Sequence, residues 1–190
     1  MRKYLLHVLI ISFVFFLTPT IQAAVALGET IEARKQAVKK KSDDAKTHFD
    51  LGVVYLKSGM FKESIEALKQ ATRVDPDYAK AHKTLGYVYL NLHMNKDAIE
   101  SLKQVVRINP DATAHYNRGF VYGRSGMYKE AIEMLKVAIK RDPDHAMSYY
   151  YNLGLIYNLS NDKDSALELY EILKDNDYDL SDKLFRSIKK

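Results

Sequence analysis

The sequence predicts an all-α fold, an α-solenoid of about four helical hairpins closed by a C-terminal capping helix. Three observations lead there. The chain repeats itself: "GMFKESIEALKQATRVDPDYA" from Gly59 returns 67 residues later as "GMYKEAIEMLKVAIKRDPDHA" from Gly126, with a more diverged copy, "HMNKDAIESLKQVVRINPDAT", from His93. A register then runs through the chain, because Gly52, Gly86, Gly119 and Gly154 are spaced by 34, 33 and 35 residues. Tyr55, Tyr89, Tyr122 and Tyr157 stand three residues after each glycine, and Ser64, Ala98, Ala131 and Ala166 twelve after. Leu68, Leu102, Leu135 and Tyr170 stand sixteen after, and Pro76, Pro110, Pro143 and Tyr178 twenty-four after. Finally, the period within a row is helical: Leu51, Gly52 and Tyr55 share one face of a 3.6-residue helix, as do Ile65, Leu68 and Ala71.

Taken in chain order, residues 1–23 come first. They carry Arg2 and Lys3, a 14-residue apolar run from Tyr4 to Leu17 broken by His7 and Ser12, then Pro19 and the small residues Ala23 and Ala24. This is the layout of a signal peptide cleaved after Ala23. A bilayer span needs about 20 apolar residues, so an uncleaved membrane anchor over residues 4–27 is the alternative. Export is expected either way, to the periplasm if the source is a two-membrane bacterium. Residues 24–44, with "ETIEARKQAVKKK", read as a charged helix serving as spacer or weak N-terminal cap.

Four rows follow, at 45–78, 79–111, 112–146 and 147–179, each holding two helices joined by turns such as "KSGM" and "GRSGM". Glycine within a helix costs about 1 kcal/mol relative to alanine, so the four in register are expected to let each first helix approach the Ser or Ala column of its partner. The proline near the end of a row cannot continue a helix, and Asp77, Asp111 and Asp144 are placed to cap the next one. Residues 180–190, "LSDKLFRSIKK", place Leu180, Leu184 and Ile188 on one face with Lys and Arg opposite, as a capping helix should.

Composition narrows the function. Without residues 1–23 the chain has 27 basic and 24 acidic residues, a charge of +3 that is too mild to suggest a nucleic-acid partner. There is no cysteine, which excludes disulfides, thiol nucleophiles and Cys-based zinc sites.

These columns resemble the tetratricopeptide repeat, over residues 45–179. The resemblance implies a right-handed solenoid in which hairpins that cannot bury both faces alone stack and bury each other's. One departure is general: the family's tryptophan position holds His48, His82, His115 and Tyr150.

No catalytic constellation is expected. Helices pack about 8–10 Å apart, whereas zinc ligands lie about 2.1 Å from the ion, so the three histidines of one column cannot share a metal. "GFVYGRSG" follows no strand and lacks the Lys-Ser/Thr of a phosphate-binding loop. Neither cofactor nor metal is predicted.

Function is therefore sought in binding. The resemblance implies that the first helix of each row lines a groove holding a partner's peptide. The candidate residues are Phe49, Val53, Lys80, Lys83, Tyr87, Asn91, Tyr116, Asn117, Phe120, Arg124, Tyr151, Asn152 and Leu155. Aromatic walls, amides able to bond a peptide backbone, and cations favouring an acidic partner would recognise an extended segment. The expected protein is a non-enzymatic interaction scaffold of the cell envelope. A self-associating or membrane-anchored structural protein is the alternative.

Overall fold

The computed structural model describes residues 19–189; residues 1–18 of the expected leader lie outside the described residues. All secondary structure among the described residues is helical. Two compact units divide between Asp75 and Pro76.

The first unit contains α1 (Pro19–Lys40), α2 (Ala45–Lys57) and α3 (Phe61–Val74). Helices α2 and α3 form a hairpin whose turn requires Gly59 at φ 72°, a left-handed conformation that glycine adopts without steric cost. Asp44 caps α2, accepting from the Lys46 amide at 3.2 Å and from the Thr47 hydroxyl. Leu68 and Ala71 are fully buried in the hairpin, and Leu51, Tyr55 and Ala67 form the cluster onto which α1 lays Ile31 and Val38. Arg34 of α1 also pairs with Asp50 at 3.6 Å. Helix α1 thus covers the hairpin with its C-terminal half. Its described N-terminal half is almost wholly exposed, Val25 at 53%.

The second unit runs through α4 (Ala79–Asn91), α5 (Asn95–Ile108), α6 (Ala112–Arg124), α7 (Tyr128–Arg141), α8 (Ala146–Leu159), α9 (Lys163–Asn176) and α10 (Tyr178–Ile188). Three hairpins, α4/α5, α6/α7 and α8/α9, pack in series, and α10 closes on both α8 and α9. The left-handed turn residue is Gly126 in the middle hairpin, but His93 (φ 58°) and Asn161 (φ 66°) in the others. The core is a line of fully buried leucines, Leu102, Leu135, Leu173 and Leu184, with Val88 and Val121.

One expectation is extended and one corrected. The helix glycines do bring the small-residue column close: the Ser64 hydroxyl donates to the Gly52 carbonyl at 2.8 Å, and a Cβ on Gly119 would lie 3.2 Å from the Ala131 carbonyl oxygen. They also make room for the leucine sixteen residues on: a Cβ on Gly86 would lie 2.8 Å from Leu102 Cγ, and one on Gly52 2.7 Å from Leu68 Cγ. In the fourth row Tyr170 replaces that leucine, and the space beside Gly154 is taken by Leu184 of α10, 2.6 Å from where a Cβ would stand. The expected aspartate caps also hold only once. Asp111 caps α6 through the Ala114 amide, 2.6 Å. Asp77 instead accepts from Arg107 at 2.7 Å, Tyr78 taking the N-cap position of α4. Asp144 lies inside a 3-10 turn, Pro143–His145, that Asp142 caps.

Candidate functional site

In the first unit the candidate residues Phe49 and Val53 lie one turn apart on α2 and are half-buried. Leu51, Tyr55 and Ala67 of the same hairpin, with Val38 of α1, floor an open cleft of about 510 Å³, rimmed by His48, Lys62, Glu63, Glu66 and Gln70. A helix bearing only Ile31 and Val38 as its packed apolar residues cannot fill that face. This cleft was not legible in the sequence, because it depends on how far α1 extends over the hairpin.

The remaining candidates sit on α4, α6 and α8 of the second unit. Helical spacing stacks Lys83, Tyr87 and Asn91 on one stripe of α4, Tyr116, Phe120 and Arg124 on one of α6, and Tyr151 with Leu155 on α8. Lys80, Asn91 and Arg124 are exposed; Lys83, Tyr87, Tyr116, Phe120, Tyr151, Asn152 and Leu155 are half-buried. Asn117 departs from expectation. It is 4% exposed, and its Oδ1 accepts a 2.6 Å hydrogen bond from the Tyr87 hydroxyl. Its Oδ1 ties α4 to α6. Burial, with Tyr116 adding to it, pushes the Tyr87 phenol up, and burial does the same to Tyr116. Both remain neutral hydroxyls that rigid aromatic walls can present. Tyr116 is further held against Tyr149, ring centroids 5.1 Å apart, and against Phe120 at 6.5 Å.

Charge on these helices is segregated. The sequences of α4, α6 and α8 contain no aspartate or glutamate, whereas α5, α7 and α9 carry both signs. Among the described residues Lys80, Lys83 and Arg124 have no carboxylate partner. Arg118 is occupied, donating to the Tyr122 hydroxyl at 2.8 Å with its guanidinium 5.2 Å from that ring's centroid.

Between α6 and α8 the face opens into a pocket of about 140 Å³. Leu135 of α7 forms its floor, Phe120, Gly123, Leu155, Ile156 and Leu159 its walls, and Arg124 and Asn152 its polar edge. Four candidate residues therefore meet at one place. Gly123 permits the arrangement, since a Cβ there would stand 2.3 Å from Ile156 Cδ1. The Asn152 amide nitrogen donates to the Ser148 carbonyl at 2.8 Å, while its Oδ1 has no hydrogen-bond partner among the described residues. Gly123, Leu135, Ile156 and Leu159 were not among the sequence candidates. A second helix glycine four residues after Gly119 was the one signal available for them.

Among the described residues no group of three or more His, Asp or Glu side chains could hold a metal ion. No helix among them is long and apolar enough to cross a membrane.

Hairpins packed in series, each burying its neighbour's apolar stripe, place the molecule among the helical-repeat scaffolds, which bind rather than catalyse. Sequence profiles narrow the class: residues 54–92 match a "TPR repeat" profile, and 79–111 and 110–171 match "Tetratricopeptide repeat" profiles, together more than half of the chain. The chain belongs to the tetratricopeptide repeat family. Among solved structures it is similar to a MamA protein, with 26% identity over 83% of this chain and 90% of that one, at a TM-score of 0.67. Residues 41 to the end of MamA from Desulfovibrio magneticus RS-1 match at 21% identity over 90% and 92%, TM-score 0.70. YrrB, described as a TPR protein with an unusual peptide-binding site, matches at 24% identity over 88% and 87%, TM-score 0.71. These likenesses are of fold. A search among curated proteins finds no significant match.

Proposed function

We propose that the chain is a non-enzymatic protein-interaction scaffold whose α4–α6–α8 face receives an extended segment of a partner protein. The observation that carries this reading is the acid-free face itself. Rigid aromatic side chains offer contact area at low entropic cost, and unpaired cations select against basic partners. The peptide-binding site named for YrrB, a protein of the same fold, is consistent with it. The leader layout of residues 1–23 supports an exported scaffold serving an envelope assembly. The test is to replace Tyr87→Ala and Tyr116→Ala together and to crosslink partners in native envelope extract. Capture should fall at least tenfold while the helical circular dichroism is kept; undiminished capture refutes the groove.

A second reading, a self-associating or membrane-anchored structural protein, draws more from the comparisons. The matched MamA chains are covered to 90% and 92% of the length compared, so the likeness extends over the array of hairpins and is not confined to one repeat. The open cleft on the α2/α3 hairpin and the exposed first half of α1 favour the same reading, since both offer surface that the described residues leave uncovered.

A further inference from the structure

We propose that the pocket between α6 and α8 is the seat of a single leucine-sized side chain in an acidic partner segment, with Arg124 pairing the carboxylate beside it. The proposal rests on the groove reading above and names the chemistry of one of its subsites.

Size, polarity and charge agree on this occupant. A closed apolar cavity of about 150 Å³ suffices to hold a benzene ring, so about 140 Å³ takes one branched aliphatic side chain and little more. Phe120, Leu155 and Ile156 give it an apolar lining in which a hydroxyl or amide would lose its hydrogen bonds to water. The rim is polar at two points only. Arg124 is exposed, has no carboxylate partner among the described residues, and stands on a helix without a single acid. The Oδ1 of Asn152, without a partner among the described residues, can accept a backbone N–H of the segment whose side chain enters the pocket. Lys83, farther along the same face on α4, extends the preference for negative charge beyond the pocket.

The test uses the full chain and short fluorescein-labelled peptides read by anisotropy. One peptide carries a leucine flanked by aspartates; a second replaces the leucine by alanine, and a third replaces the aspartates by asparagine. The first should bind tightest, with the alanine peptide about tenfold weaker, as expected for loss of one buried aliphatic side chain. The asparagine peptide should be weaker and lose most of its salt dependence. Gly123→Ala pushes the flexible end of Ile156 into the pocket and should erase the leucine–alanine difference. Leu159→Ser, at the exposed rim, gives the same comparison without touching the helix interface. Arg124→Gln should erase the aspartate–asparagine difference.

An unchanged leucine preference in both pocket variants overturns the proposal. If binding ignores these variants but is lost in Tyr87→Ala/Tyr116→Ala, the groove stands and the pocket does not. Binding lost in neither set removes both. No binding of the leucine peptide up to millimolar protein also overturns the pocket, while the groove is judged separately by the crosslinking experiment.

Discussion

His48, His82 and His115 occupy one column of the repeat, yet they do not do the same thing. The Nε2 of His48 lies 2.8 Å from the Ser42 carbonyl and that of His82 2.9 Å from the Pro76 carbonyl, six residues back in each case. His115 is buried with both ring nitrogens unpartnered. The chain enters α6 through Asp111 at ψ 174°, against 106° at Asp44 and 80° at Tyr78, so the turn that offers a carbonyl to the other two rings is not repeated. Burial holds His115 below the usual histidine range, with the Arg141 and Arg118 charges adding to that and Asp111 opposing. The linkage has a definite sign. Below the ordinary histidine value of 6.5 the unfolded chain takes up a proton that folded His115 resists. Stability should therefore fall as pH drops from 6.5 toward the depressed folded value. His145 works the other way, its proton favoured first by the hydrogen bond to Asp142. The expected result is that His115→Phe raises stability at pH 7 by about 1 kcal/mol or more, and flattens the acid limb below pH 6.5. A variant that melts with the same pH slope as the parent would contradict this. Columns of identical letters could be read from the sequence; the backbone entry that makes one histidine different could not.

At the scale of the helix, the hairpins were legible and their seams less so. Period and glycine register place the paired helices because both follow from side-chain direction along one helix. What the glycines face depends on the partner helix, and there the leucine sixteen residues on joins the small residue twelve on as a neighbour. The fourth row shows why. Its own leucine is missing at Tyr170, so α10 supplies Leu184 from outside the hairpin, and that side chain is fully buried. Helix α10 is thus a structural member of the last repeat. Leu184→Ala should cost about 2–5 kcal/mol, measured by urea denaturation. Hydrogen exchange should show the loss concentrated in α8 and α9, with α4 and α5 less affected. Uniform loss of protection across the unit would count against a local cap.

For the whole molecule, the candidate face could be anticipated in outline, since residue types on three equivalent helices reveal its aromatic and cationic character. Its detail could not. Asn117 was expected as an open groove amide, but its Oδ1 is held by Tyr87, and the pocket arises where Gly123 lets two helices meet. The open cleft on α2 and α3 bears on the structural reading. If copies associate through it, sedimentation should rise steeply from micromolar to near-millimolar chain, and Glu63→Lys with Glu66→Lys, on the exposed rim of the cleft, should abolish the rise. A monomer over that whole range excludes this mode.

The borrowed leucine also constrains how such an array could have lengthened. A duplicated fourth row would inherit a tyrosine where its partner needs leucine, and only one copy could sit beneath the terminal helix. Growth by copying an interior row, which supplies its own leucine, leaves no such vacancy. The Gly59 and Gly126 segments, identical at 13 of 21 positions, each carry that leucine, Leu68 and Leu135, as copying of a self-sufficient row would leave behind.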